Sequence, residues 1–386
     1  MLAPSLIENK MKNKPKVLDL FSGCGGMSWG LDLAGFEIIG AVDEWETALK
    51  TFKLNHPGAK TFCGDIRDIE TSKVLEELEM RQGDIDVIVG GPPCQGFSKN
   101  VVAKKRFIDD PRNQLFREFI RFVDELRPKV VVMENVAEIY NSYRGEVRKE
   151  ISDLLESFGY SVGVKVLTAA DYGIPQRRKR CIFIASLNGD PVFPEPTHYE
   201  YKSNQMENLF SLNEKYVSAW QAISDLPYLE PGQTKIFYEQ DAVNDYQKWV
   251  RNNAKSFDNH FYNPPSDIQK ARYEALEPGQ AIKDLPEELR PKSGYSGAYG
   301  RLDFESISPT ITRWVFHAGS GRYGHPQQYR TLTMREAARI QSFTDDFKFY
   351  GRKNEVAGQI GNAVPPKLML VLGDEIHRLL QLCRGE

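Results

Sequence analysis

Short β-branched runs alternate with amphipathic stretches along the first 190 residues, and nothing else in the sequence constrains the fold as tightly. The runs KVLDLF, EIIGAV, DVIVG, KVVVME and CIFIAS are each bounded by Gly, Pro or charge, as buried strands are. In NQLFREFIRFVDELRP, the residues Phe116, Phe119, Ile120, Val123 and Leu126 recur at helical spacing until Pro128 stops the pattern. In RGEVRKEISDLLESFGY, Val147, Ile151, Leu154, Leu155 and Phe158 repeat it, with Gly159 as the stop. Strand alternating with helix predicts an α/β fold, a doubly wound and mostly parallel sheet covered on both faces.

From PVFPEPTHYE onward the chain is rich in Pro, Asn, Tyr and Gly, with only short helical pieces such as SDIQKARYEAL. That predicts a second, smaller and irregular domain. Order returns at the end, where TMREAARIQSF reads as a helix, GQIGNAVPP as a turn, and KLMLVLGDEIHRLLQL as a helix that packs on the first domain. Fifty Lys and Arg nearly balance 53 Asp and Glu, so bulk charge selects no partner and any basic surface must be local. Cys24, Cys63, Cys94, Cys181 and Cys383 are scattered with no CxxC pair, which argues against a disulfide framework and against a zinc site. MLAPSLIENKMKNKPK has no continuous apolar stretch, and no run approaches the roughly eighteen apolar residues of a membrane span. The chain therefore reads as soluble and intracellular.

In VLDLFSGCGG, Asp19 ends a strand and Gly23, Gly25 and Gly26 precede a helix. Glycines at the carboxyl end of a parallel strand let backbone approach a nucleotide-like ligand, although a plain tight turn has the same look and Ser28 occupies the third glycine position of the dehydrogenase fingerprint. About twenty residues on, Asp43, Glu44 and Trp45 end the next strand, where an acid can accept from ribose hydroxyls and an indole can stack on a purine. A helix cap by Asp43 is the other reading. Asp65 in CGDIRD either reaches an adenine edge, together with the neighbouring backbone, or caps a turn.

Cys94, in GGPPCQGFS, follows a strand as Asp19 does, and the next strand ends in Glu134 and Asn135. Strands adjacent in sequence are commonly adjacent in space, so a thiol and a carboxyl group converge on one crevice. Singly, each is as well explained as a small hydrophobe or a solvated charge. In DYGIPQRRKRCIFIA, alternation places Arg178 and Arg180 on one face, to hold a base oxygen or phosphate or merely to form a solvated basic edge. The KKR run at 104–106, in the loop after Cys94, either forms a merely soluble loop or meets phosphates.

Taken in order, DLFSGCGG, DEW, GDI, GGPPCQGFS, the helix containing Leu115, MENV, QRRKR, REAARIQSF and GQIGNAVPP resemble the motifs of the cytosine-C5 DNA methyltransferases of bacterial restriction–modification type, over nearly the whole chain. Thr344 departs from the proline frequent in that family. The resemblance implies a Rossmann-like methyltransferase fold, with residues 1–190 and 356–386 as catalytic domain and 191–355 as target-recognition domain and hinge. It implies S-adenosyl-L-methionine as cofactor and S-adenosyl-L-homocysteine as product. The cofactor would be held by Asp19, Phe21, Ser22, Gly23, Gly25 and Gly26 of the first motif, by Glu44 and Trp45, and by Asp65 and Ile66. Pro93 and Leu115 would join them, and so would Asn362, Ala363 and Val364. No metal is implied. The expected partners are double-stranded DNA and a cognate restriction endonuclease, the chain acting as a monomer in the bacterial cytoplasm, associated with the nucleoid.

The implied chemistry is covalent. C5 of cytosine is too weak a nucleophile for a sulfonium methyl until a thiolate adds to C6, and the resemblance gives that thiolate to Cys94. Glu134 would contact N3 and the exocyclic amine and supply a proton, Arg180 would hold O2, and Arg178 is a neighbour that would favour the thiolate over a thiol of ordinary pKa about 8.5. A tRNA cytosine-5 methyltransferase performs the same reaction but resembles PPCQPF rather than PPCQGF. A nicotinamide oxidoreductase would share the fold without the Cys94 turn, and a catalytically dead DNA-binding regulator would not keep Cys94 and Glu134 together with both cofactor acids.

Overall fold

The computed structural model describes residues 14–93, 115–200 and 214–384. Cys94 and the 104–106 basic run lie outside them. The chain divides into two compact units, the first comprising 1–167, 179–195 and 368–386 and the second 168–178 and 196–367.

The first unit is built on strands β1 (Lys16–Leu20), β2 (Glu37–Asp43), β3 (Lys60–Cys63), β4 (Val87–Gly90), β5 (Val130–Val136), β6 (Ser161–Thr168) and β7 (Lys179–Ser186), in the sheet order β3-β2-β1-β4-β5-β7-β6. β1 pairs in parallel with β2 and β4, β2 with β3, and β4 with β5. The helices between them are α1 (Gly26–Leu33), α2 (Glu46–Asn55), α3 (Thr71–Glu77), α4 (Leu115–Leu126) and α5 (Glu146–Ser157). Strand–helix alternation thus yields parallel pairs from β1 to β5. It fails at β7, which runs antiparallel to β5 in the register Glu134↔Ile182 and Val136↔Arg180. β6, with few fully buried side chains, has too weak an apolar pattern to be read as a strand from sequence.

The core follows the predicted faces. Phe116, Phe119, Ile120, Val123 and Leu126 of α4 are buried against the sheet, joined by Phe122, which the spacing left out. In α5, Val147, Ile151 and Leu155 are buried, and Gly159 adopts the left-handed conformation expected of a helix stop. The last helix, α11 (Pro366–Arg384), returns to the first unit from residue 368 onward, where the His377 ring stacks on Phe36 at 4.1 Å and its Nε2 contacts the Ala34 carbonyl at 3.0 Å.

The second unit contains the two-residue strands β8 (His198–Tyr199) and β9 (Glu214–Lys215) and the helices α6 (Ala219–Ile223), α7 (Asp245–Arg251), α8 (Asp267–Glu274), α9 (Met334–Ile340) and α10 (Lys353–Asn362). GQIGNAVPP, expected as a turn, is helical as far as Asn362 and breaks only at Ala363, with Gly361 facing neighbouring backbone. A side chain at Gly361 would stand 2.2 Å from the Arg313 nitrogen. Polar pairs replace hydrophobic alternation as the organising feature of this unit. Arg330, Arg335 and Arg339 are buried, Arg330 bridging to both oxygens of Glu336, Arg335 pairing with Asp258, and Arg339 pairing with Asp225 and Asp345. Among the described residues no helix is long and apolar enough to cross a membrane.

One backbone contact governs the centre of the sheet. A Cβ at Gly90 would lie 2.2 Å from the Leu20 carbonyl oxygen and 3.0 Å from Phe119. Gly90→Ala is therefore expected to cost about 3 kcal/mol in chemical denaturation, through overpacking where no rotamer change gives relief. A loss below a few tenths of that would show that the strands separate easily.

Candidate active site

The parallel strands β1 to β5 all end on one edge of the sheet, and the chain leaves β1 for one side and β4 for the other. Ligands bind at such a switch point, outside the carboxyl ends of the strands. Several of the residues singled out from sequence lie at this edge within the first unit.

After β1 the backbone makes a strained loop. Phe21 adopts φ +56°, Gly23 +54° and Gly25 +93°, so a bulky residue bears a left-handed conformation that favours glycine. At Gly25 a side chain would also meet the Phe52 ring at 2.8 Å. Asp43 holds the loop in place. Its Oδ2 accepts from the Gly23 N–H and its Oδ1 from the Trp45 N–H, both at 2.7 Å, while its backbone carbonyl accepts from the Gly64 N–H at 3.0 Å. Asp43 does not cap the next helix, which begins from Trp45, but ties the ends of β1, β2 and β3 together. Glu44 is left exposed and Trp45 half-buried beside it, an acid and an indole available to a nucleoside.

Ser28, the residue that broke the dehydrogenase fingerprint, donates through Oγ to Asp19 Oδ2 at 2.6 Å. The other Asp19 oxygen is buried with no partner among the described residues, and burial, with the nearby Asp43 charge, pushes this carboxyl group up to about 7 against the Ser28 bond. A buried, unsatisfied acceptor beneath a glycine loop suits a ligand that carries positive charge.

Asp65 realises the capping reading and keeps acceptor capacity besides. Its Oδ1 accepts from the Arg67 N–H at 3.0 Å, and the Arg67 guanidinium engages both carboxylate oxygens, holding the acid down at about 2. The next residue, Ile66, is buried and opens a three-residue 3-10 turn; its N–H has no partner among the described residues. An acceptor followed by a free donor is complementary to the amine and ring nitrogen on the edge of adenine. Leu115, at the start of α4, packs against the same core.

At the end of β5, Glu134 and Arg180 lie diagonally on one face of the antiparallel pair, with Nε and Oε1 2.5 Å apart. The two are mostly buried, 12% and 16% exposed, which a solvated strand-end charge would not be. The backbone just upstream of Cys94 runs beside them: a Cβ at Gly91 would stand 3.0 Å from Glu134 Oε2, and the buried Asn135 donates from Nδ2 to the Pro92 carbonyl at 3.0 Å. Pro93 is exposed. Cys181, next to Arg180, is buried, and burial together with the Glu134 charge pushes its thiol up to about 12, so it is inert.

Arg178 corrects the alternation argument. It precedes β7 and belongs to the second unit, where it is 2% exposed. Its guanidinium donates to the carbonyls of Ile311 at 3.2 Å, Gly361 at 3.3 Å and Ala363 at 2.9 Å. It braces the segment Asn362–Val364, with Gln341 donating to the same Ala363 carbonyl, and it stands outside the strand whose alternation would place it. Sequence reasoning missed Asn135 and Ser28, whose roles depend on contacts between separate strands and loops that no spacing encodes.

The Asp19 environment fixes a sign. Between about pH 4 and about pH 7 the folded chain keeps a proton that the unfolded chain has lost, so this group subtracts stability as pH rises through that window. Asp19→Asn removes the dependence, so its melting temperature minus that of the wild type is expected to increase from pH 4 to pH 8. A difference independent of pH would refute the raised carboxyl group.

A model of the C-5 cytosine-specific DNA methylases matches residues 15–378. The Type II methyltransferase M1.HphI of Haemophilus parahaemolyticus is 35% identical over 366 residues, 94% of this chain and 86% of that one. The Type II methyltransferase M.DdeI of Desulfomicrobium norvegicum is 34% identical over 382 residues, 93% and 88% of the two chains. A solved structure from E. coli, described as a DNA modification methyltransferase encoded within a prophage, superposes with a TM-score of 0.73 at 26% identity, covering 95% of this chain and all of that one.

Proposed function

The chain belongs to the C-5 cytosine-specific DNA methylase family, and from that premise we propose that it methylates C5 of cytosine in double-stranded DNA through a covalent bond from Cys94 to C6. The observation that carries this reading is the Glu134–Arg180 pair, set beside the Gly91–Pro92 backbone that leads directly to Cys94.

S-adenosyl-L-methionine fits the residues at the sheet edge. Asp19 has a buried oxygen without a partner, Gly25 has room for no Cβ, Glu44 and Trp45 stand ready for ribose and purine, and Asp65 and Ile66 present an acceptor and a donor. Phe21, Ser22, Gly23 and Gly26 shape the loop, and Pro93, Leu115, Asn362, Ala363 and Val364 complete the assignment. When bound, this cofactor supplies an electrophilic sulfonium methyl for C5 and is released as S-adenosyl-L-homocysteine.

The protein's own groups do the rest. The Cys94 thiolate adds to C6, and the electron pair displaced from the C5–C6 double bond moves through the ring toward N3. Glu134 protonates N3 and holds the exocyclic amine, so that no free anion accumulates. Arg180 orients Glu134 and neutralises charge developing at O2. After alkylation a base removes the C5 proton, the N3 proton returns to Glu134, the C5–C6 double bond re-forms and Cys94 leaves as thiolate. The target cytosine must first rotate out of the duplex, at a cost of a few kcal/mol, roughly. We assign catalysis to 1–190 and 356–386 and target reading to 191–355. We further assign the enzyme to a restriction–modification pair, as a monomer acting with a cognate endonuclease on DNA in the bacterial cytoplasm.

Cys94→Ser is expected to abolish methyl transfer while the cofactor still binds, and Glu134→Gln to slow it about a hundredfold or more. A duplex with 5-fluorocytosine at the target should trap a covalent complex, visible on a denaturing gel. Labelled cofactor offered with duplex DNA and with tRNA decides the substrate: methylation of tRNA alone would overturn the DNA assignment, and continued turnover on the fluorinated duplex the covalent route.

A further inference from the structure

The turn that carries Asp65 and Ile66 is short. A single 3-10 turn is a weak structure by itself, and ordering it upon binding would cost affinity. Two arginines to which sequence reading assigns no role hold it. Arg121, on α4, donates from one terminal nitrogen to the carbonyls of Ile66 at 2.9 Å and Ile69 at 3.2 Å. Its Nε pairs with Glu118 at 2.8 Å, its other terminal nitrogen approaches Glu125 at 3.5 Å, and its guanidinium lies 4.8 Å from the centre of the Phe122 ring. These contacts fix the direction in which it reaches the turn. Arg67 grips the Asp65 carboxylate from the side, through Nε at 2.9 and 3.1 Å and through a terminal nitrogen. A carboxylate has about four lone-pair sites, so the Arg67 contacts and the Arg67 N–H leave little acceptor capacity, in a defined direction.

We propose that Arg121 and Arg67 are positioning residues for recognition of the cofactor's purine, Arg121 holding the turn and Arg67 the plane of the Asp65 carboxylate, so that the acceptor of Asp65 and the free N–H of Ile66 keep a fixed spacing. The inference rests on the cofactor reading above. Its chemical consequence is selectivity for an aminopurine. In hypoxanthine a carbonyl replaces the amine and the adjacent ring nitrogen carries a proton, so both contacts become mismatched, and a rigid turn cannot move to relieve them. A loosened turn can.

The test is calorimetric titration of the full chain with S-adenosylhomocysteine and with its inosine counterpart. The wild type is expected to prefer adenine by about a hundredfold or more. Arg121→Met and Arg67→Met are each expected to weaken S-adenosylhomocysteine binding and to narrow the preference about tenfold, with Arg121→Lys intermediate. Arg117→Met, on the same helix as Arg121 but contacting only Glu150 of α5 and the Phe116 ring among the described residues, should leave the ratio unchanged. Methionine variants that keep the wild-type ratio would overturn the proposal. If Arg121→Met does not fold, Arg67→Met decides, because Arg67 is 58% exposed and its loss leaves the core untouched. A wild type that binds both alike would overturn the purine clamp alone, whereas one that binds neither ligand would refute the cofactor assignment itself and the clamp with it.

Discussion

The backbone of β4 approaches β1 so closely that residue 90 has no room for a side chain, and the edge of the sheet takes its form from that contact. With Gly90 directly opposite Leu20, the two central strands end at the same level. The glycine loop after β1 and the Gly91–Pro93 segment after β4 therefore leave the sheet side by side, and β5, whose Met133 pairs with Gly90, carries Glu134 one residue further on. The glycine loop and a carboxyl group are brought to one edge by parallel register before any side chain has been chosen for chemistry.

Polar groups then set the details that register leaves open. Asp43 spends its side chain on two backbone N–H groups and its carbonyl on a third, so three strand ends move as one. Asn135 fastens the Pro92 carbonyl, and Arg180 neutralises Glu134 without being displaced to solvent. Each of these groups is buried or half-buried, and a partner removed at any of them would leave a desolvated charge or amide behind, which costs far more than the bond contributes. Asp19 is the exception, with one oxygen unsatisfied, and a cationic ligand is the natural complement to that vacant acceptor.

The second unit obeys a different logic. Buried arginines meeting Asp225, Asp258, Asp345 and Glu336 organise chain that has little regular structure, and Arg178 and Gln341 use carbonyls to shape the segment after α10. Such pairs are directional, so they specify where loops go, a task that nonspecific apolar contact performs poorly where helices are only two turns long. His325 belongs to the same network: its Nδ1 accepts from the N–H groups of Gln327 and Gln328, and burial with the Arg330 charge pushes its imidazole down to about 3, so it stays neutral.

Much of this was legible in the sequence because it is local or periodic. The strands β1, β2, β4, β5 and β7, the buried faces of α4 and α5 and the helix stop at Gly159 follow from spacing, since burial on one face imposes its period on the residues. The ordered motifs likewise identified the family that the relatives and the family model show. Other features arise only when distant segments meet. The antiparallel turn of β7, the three-way role of Asp43, the bond from Ser28 to Asp19, the carbonyl contacts of Arg178 and the reach of Arg121 to the Ile66 carbonyl all depend on partners that spacing does not reveal. The sequence by itself determined which elements form and which chemical groups stand at their ends. Only the tertiary structure decided which polar group satisfies which, because a hydrogen bond is chosen by distance and direction in space, and neither is written in the order of residues.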